Sequence, residues 1–207
     1  MPQPPLFFYF DMGNVLLSFD YDVGARNMAN ICGASAEACR DAAFGSEMLQ
    51  DFETGRMTLD EFHRHFSQQT GTQSGKETLL QARCDMFSLI APTARIVTQL
   101  KGVRQRVGLL SNTSADHIAW CRERFGVLRE LIDEYVISCE VGAMKPDAKI
   151  YEIAIERAGV PADRIFFVDD RQENVEGAIA AGMDAVLFSA ADQLLAELRS
   201  RGVEINL

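Results

Sequence analysis

The chain has 207 residues, of which 47% are hydrophobic and 24% charged, proportions that suit one well-packed globular core with a small second module. Its formal net charge is -10, which argues against nucleic acid or an anionic membrane as a partner, since both require clustered Lys and Arg. A phosphate ligand stays open, because a few local cations and a metal ion override the global field. The five cysteines, Cys32, Cys39, Cys84, Cys121 and Cys139, are scattered and form no C-x-x-C pair. Neither a zinc site nor a disulfide framework is signalled, and reduced thiols in the cytoplasm are expected. The apolar run Leu6–Phe10 is too short for a signal peptide and lacks a basic flank. No segment approaches the ~20 apolar residues of a membrane span. The expectation is a soluble cytoplasmic protein, a monomer or weak homodimer.

In chain order, Leu6 to Leu17 reads LFFYFDMGNVLL, an apolar run ending at Asp11 and a glycine. Such a run predicts a buried strand of a parallel sheet, with its acid at the C-terminal end where open α/β sheets bind ligands. From about Asp20 to Leu89 the periodicity is helical, with no convincing strand and breaks at Gly33, Gly45, Gly55 and Thr70–Gly75. Thr58 and Glu61 have the spacing of a capping box opening a helix at Leu59. This block, residues 18–89, reads as a helical insertion into an α/β core made of 1–17 and 90–207. Pro92 suits the first turn of a helix that stops at Gly102. A strand over Val107–Ser111, a helix over Ala115–Phe125, and a strand over Tyr135–Ile137 follow. Lys145-Pro146-Asp147 opens a helix ended by Gly159, Ile165–Val168 is a strand finishing in Asp169-Asp170, and Ala185–Phe188 is the last strand before a helix near Asp192–Arg199. Strands alternating with helices predict an α/β fold with a doubly wound, mostly parallel sheet.

Several of these strands or loops end in groups suited to phosphate chemistry. Asp11 is a carboxylate nucleophile of the kind that forms an aspartyl-phosphate. Ser111 offers a hydroxyl, and the backbone N–H groups after it begin a helix, where anions bind. Lys145 is a compact cation. Asp169 and Asp170 repel one another unless a cation relieves them. Hard oxygen ligands beside a phosphate point to Mg²⁺.

Asp11-Met-Gly-Asn-Val15, Leu110-Ser-Asn112, Lys145-Pro146 and Val168-Asp-Asp170 together resemble the four motifs of the haloacid dehalogenase superfamily. The likeness covers the whole chain, and the insertion is similar to that family's first-type helical cap. The F-D-x-G-N-V opening resembles the α-D-glucose-1-phosphate phosphatase-like members. The resemblance implies a Rossmann-like sheet of order 5-4-1-2-3 and a Mg²⁺-dependent phosphatase acting on a small phosphomonoester of the sugar-phosphate type. It also implies Asp11 as nucleophile and Mg²⁺ ligand, the Gly13 carbonyl and Asp170 as further ligands, and Asp169 nearby or bound through water. Ser111, the Asn112 backbone and Lys145 would hold the phosphoryl group.

One position departs from the family pattern. Most of its phosphatases carry a second Asp two residues after the nucleophile as general acid and base, and here that residue is Gly13. Three accounts follow: a leaving group that needs little protonation, a proton from Asp20 or from the cap, or a non-catalytic phosphate-binding or interaction protein. A phosphoglucomutase-like reaction is disfavoured by Gly13. Phosphonate hydrolysis is disfavoured because no lysine lies between Leu17 and Gly75, and dehalogenation by the paired acids. His63 and His65, two apart on a helix, face different ways. His117 lies near Ser111. For Phe19, Asp20, Phe44, Glu53 and Arg56, solvated or core roles are expected.

Overall fold

The computed structural model describes residues 3–206. From the N-terminus, β1 (Phe7–Phe10) and β2 (Leu17–Phe19) lead into five helices: α1 (Tyr21–Cys32), α2 (Ala36–Phe44), α3 (Ser46–Glu53), α4 (Leu59–Thr70) and α5 (Lys76–Cys84). Then come β3 (Phe87–Leu89), α6 (Ala91–Gly102), β4 (Arg106–Ser111), α7 (Ala115–Arg124), α8 (Gly126–Glu130), β5 (Glu134–Ile137) and α9 (Ser138–Val141). The chain continues through α10 (Ala148–Ala158), β6 (Ile165–Asp169), α11 (Gln172–Ala180), β7 (Asp184–Leu187) and α12 (Ala191–Ser200).

Five strands form one parallel sheet in the order β5-β4-β1-β6-β7. Counted along these five strands alone, this is 3-2-1-4-5, the expected 5-4-1-2-3 arrangement read from the other edge. The chain winds outward from β1 in both directions, so the C-terminal end of β1 is the switch point where such sheets hold ligands.

The sheet is covered on both faces, which is why β1 is apolar at every position rather than alternating. Phe8 and Phe10 join Val107, Leu109 and Phe166 against α6, α7, α8 and α12. Phe7 and Tyr9 point the other way and pack with Leu110 and Phe167 against α10 and α11. Tyr9 is accommodated by Gly108, where a Cβ would lie 2.4 Å from its ring. Its hydroxyl donates to the Ala154 carbonyl at 2.9 Å, leaving no buried polar atom unpaired there.

Helices α1 to α5 enclose a separate apolar cluster that includes Met28, Phe52, Phe62, Phe66 and Leu79. The Thr58–Glu61 capping box forms, both halves present. The expected absence of strands in this block is corrected: β2 and β3 pair antiparallel, Leu17 opposite Leu89, in a two-stranded ribbon at the neck of the insertion. Three residues per strand are too few for a period-2 signal to rise above the helical pattern beside it. The helix over Ala115–Phe125 ends one residue early, and Gly126 starts the short α8 instead of a loop. Helix α11 after the acidic pair completes the last crossover. Among the described residues no helix is long and apolar enough to cross a membrane.

Candidate active site

Asp11 follows the last residue of β1, and its N–H donates to the Val168 carbonyl of β6 at 3.0 Å. The sheet thus delivers the carboxylate to its C-terminal edge. Its Oδ1 accepts from the Met12 N–H at 2.7 Å and faces Lys145 Nζ at 2.9 Å. Burial pushes the Asp11 carboxyl up to about 6, with Lys145 pulling against it and Asp169 adding repulsion. Burial alone disfavours the Lys145 ammonium, but Asp11 and Asp169 outweigh it and hold its pKa above the ordinary value.

Lys145 is fixed from both ends. Asn112 brackets its backbone, accepting from the Lys145 N–H at 2.8 Å and donating to its carbonyl at 2.9 Å. Its ammonium donates to the Leu110 carbonyl at 2.8 Å and to Asp169 Oδ2 at 2.5 Å, besides facing Asp11. All three ammonium protons therefore have acceptors inside the protein. Asp169 is fully buried, and its other oxygen accepts from the Arg171 N–H and the Asn174 amide, each at 2.9 Å. The repulsion read between the paired acids is relieved for Asp169 by this lysine.

Asp170 is half-buried, and its Oδ2 accepts from the Asn14 side chain at 2.9 Å. Asn14 reaches it because its backbone is left-handed, φ 54°, a conformation asparagine tolerates better than most residues. Carboxylate oxygens of Asp11, Asp169 and Asp170 all lie within 4.8 Å of one another. Three acids face one lysine, an all-oxygen donor set with negative charge left over, and this fits a hard divalent cation such as Mg²⁺.

The cavity above this cluster has a volume of about 190 Å³. Asp11, Gly13, Ser111, Asn112, Lys145 and Asp170 form its floor, and Phe19, Tyr21, Leu49, Glu53, Met86 and Phe87 close it from the insertion and ribbon. A Cβ on Gly13 would lie 2.9 Å from Phe19 Cε1. The Phe19 ring thus occupies the space that a side chain at position 13 would need. Phe19 and Glu53 both line the cavity, Phe19 while also packing against the apolar cluster of the insertion. Asp20 does not: it caps α1, accepting from the Asp22 N–H at 2.8 Å. Arg56 pairs with Asp51 at 2.8 Å, and Phe44 packs among the helices. His63 is directed to the Ser74 carbonyl at 2.8 Å. The backbone donors after Ser111 are fewer than expected, because the Thr113 N–H is taken by the Ser138 hydroxyl at 2.9 Å.

The profile of the haloacid dehalogenase-like hydrolases matches residues 8–182, which spans both the sheet and the insertion. The chain belongs to that family. It is 27% identical over 173 residues to D-ribitol-5-phosphate phosphatase of Bacteroides thetaiotaomicron, covering 80% of this chain and 83% of that one. Identity to the Escherichia coli pyrimidine 5'-nucleotidase YjjG is 28%, covering 88% and 85%. In fold, it is similar to a haloacid dehalogenase-family enzyme of B. thetaiotaomicron solved with magnesium and inorganic phosphate, with a TM-score of 0.74, 20% identity and coverage of 90% and 95%.

In this haloacid dehalogenase-like hydrolase a second buried cluster lies behind the cavity. Arg83 of α5 is fully buried among Phe44, Phe52 and Phe62, its guanidinium 4.9–5.2 Å from the three rings. It pairs with Asp116 of α7 at 2.6 Å and meets His117 Nε2 at 2.7 Å. Arginine only donates, so Nε2 accepts and the ring is neutral with its proton on Nδ1. Burial first, then Arg83, pushes His117 down to about 3, against the pull of Asp116. Burial opposes ionisation of Asp116, but Arg83, with the Ser114 hydroxyl donating to it, outweighs burial and holds this carboxyl below the usual range. His117 thus borders the cavity as a fixed neutral ring. The sequence reading missed Asn14, Arg83, Asp116, Ser138 and Asn174. Only Asn14 had a signal, the Gly-Asn turn pair after a strand.

Proposed function

We propose that this hydrolase is a Mg²⁺-dependent phosphatase that cleaves a small phosphomonoester of the sugar-phosphate type through an aspartyl-phosphate on Asp11. The observation that carries this reading is the Asp11 carboxylate, held by Lys145 and the Met12 N–H at the sheet edge and lining a small cavity. Asp11, the Gly13 carbonyl and Asp170 would hold Mg²⁺, with Asp169 behind them. When bound, the ion supplies positive charge that offsets the phosphoryl group's charge against the neighbouring carboxylates. Lys145 orients the attacking carboxylate and keeps it ionised. Ser111 and the Asn112 N–H bind the phosphoryl oxygens as charge shifts onto them. The transfer forms a bond from Asp11 to phosphorus as the ester oxygen leaves, and water then hydrolyses the aspartyl-phosphate.

The cavity size favours a small ester, since pockets for larger ligands run from about 300 to 1,000 Å³. The sugar-type preference is supported by the likeness to D-ribitol-5-phosphate phosphatase. The insertion, α1 to α5 with the ribbon, acts as the cap that selects the ester. Inorganic phosphate release with Mg²⁺, measured over sugar, nucleotide and aromatic phosphates, tests the reading. The expected result is release that favours sugar phosphates and is lost with EDTA and in Asp11→Asn. Activity surviving Asp11→Asn overturns it, as does phosphate binding with no turnover of any ester.

A further inference from the structure

The ester oxygen leaving an alkyl or sugar phosphate is strongly basic and needs a proton as its bond to phosphorus breaks. The cavity contains few groups able to give one. Asp11 attacks, and Asp170 belongs to the metal-binding acids and is held by Asn14. Lys145 has all three protons engaged. His117 accepts from Arg83 and is a neutral ring, not an acid. Arg171 faces Glu173. Burial and the Glu53 charge raise Tyr21 to about 12, too weak an acid. One carboxyl remains.

We propose that Glu53 is the catalytic proton carrier, giving its proton to the leaving ester oxygen and taking one back from the water that attacks the aspartyl-phosphate. The inference rests on the phosphatase reading above. Glu53 is the last residue of α3 and borders the same cavity as Asp11. Among the described residues, no hydrogen bond or ion pair holds its carboxylate, while its backbone is anchored firmly. The Ser138 hydroxyl donates to the Glu53 carbonyl at 2.6 Å. Two residues on, Gly55 lies so close to the Cys139 carbonyl that a Cβ would approach within 2.3 Å of it. The insertion thus carries Glu53 to a fixed place over the floor and leaves its side chain free to work. Burial pushes its carboxyl up to about 7; the cations Arg83, Arg171 and Lys145 oppose this and Asp11 adds to it. That value suits a group that must both give and take a proton near neutral pH.

The proton balance closes over the cycle. In the first step the Asp11–phosphorus bond forms, the bond from phosphorus to the ester oxygen breaks, and the Glu53 proton moves to that oxygen. In the second, water bonds to phosphorus, the bond to Asp11 breaks, and the water proton moves to Glu53.

The test compares wild type with Glu53→Gln, both loaded with Mg²⁺, on p-nitrophenyl phosphate and on alkyl phosphates such as glycerol phosphate. Nitrophenolate leaves without a proton, so Glu53→Gln should still release a burst of about one equivalent per enzyme and then turn over slowly. With alkyl phosphates there should be no burst, and turnover should fall by about 10²–10⁴-fold. The burst also shows that the variant is folded. Equal losses on both ester classes without a burst, or unchanged turnover, overturn the role of Glu53 while leaving the phosphatase reading standing. A wild-type protein that releases phosphate from none of these esters, or an equally active Asp11→Asn, overturns both.

Discussion

At the scale of single residues, position 13 and Lys145 define what the site tolerates. Restoring a carboxylate by Gly13→Asp should fail, because the new Cβ would meet Phe19 at 2.9 Å. Overpacking of this kind costs about 1–3 kcal/mol, so a lower melting temperature and no gain in phosphate release are expected. Pairing the change with Phe19→Ala relieves the overlap, so the double variant should lose less stability in thermal melts than the two single losses summed. Lys145 stands between two buried carboxylates, at 2.9 Å from Asp11 and 2.5 Å from Asp169. Lys145→Met leaves both uncompensated, and breaking a buried pair from one side costs about 3–5 kcal/mol. Urea unfolding should show a loss of that order, together with loss of turnover. The sequence marks Lys145 as a cation at the mouth of the sheet able to neutralise carboxylate and phosphate charge, but not which groups engage its ammonium. That its protons are already engaged follows from Leu110, Asp11 and Asp169, which three separate elements bring together.

At the scale of elements, the insertion and the sheet are joined by few polar links. One is Arg83 on α5 with Asp116 on α7, and another is Ser138 with the Glu53 carbonyl. Arg83 is costly to bury, since its Nε and one terminal nitrogen lack hydrogen-bond partners. It is held instead by the three phenylalanine rings and by Asp116. Arg83→Met should therefore destabilise by about 3–5 kcal/mol through the stranded Asp116 charge. Adding Asp116→Asn should restore part of that loss, a coupling readable in a double-mutant cycle by urea unfolding. Had the pair merely been decorative, the two losses would add. Nothing in the sequence near Arg83 marks it, because its partners lie 33 and 34 residues away on another element.

At the scale of the whole molecule, buried ionisable groups tie stability to pH. His117 is neutral in the fold, with its pKa pushed down to about 3, whereas an unfolded histidine titrates near 6.5. Between these values the unfolded chain binds more protons, so stability is full above pH 6.5 and falls as pH drops toward 3. At pH 5 the loss from this one group is about 2 kcal/mol. His117→Gln should lose less stability between pH 7 and pH 5 than wild type does, as thermal melts at both values would report. Asp116 acts in the same direction at lower pH: its depressed pKa lends stability above the usual carboxylate range that is lost on further acidification.

Local sequence determined the frame. A run such as Phe7–Phe10 reads as a buried strand by composition alone, and the acid next in the chain must emerge at its end. Asp11, Ser111 and Asp169-Asp170 were legible for that reason, and Gly33, Gly159 and the Thr58–Glu61 box marked helix ends by local backbone chemistry. Contacts over long sequence separations were decided only by the tertiary structure. The β2–β3 ribbon, the Phe19 ring filling the space beside Gly13, and the place of Glu53 on the cavity that Asp11 also lines all depend on where the insertion folds back onto the sheet. The link that fixes Glu53 joins residues 85 apart in the chain. Periodicity reports a residue's own element, whereas a cavity is formed between elements.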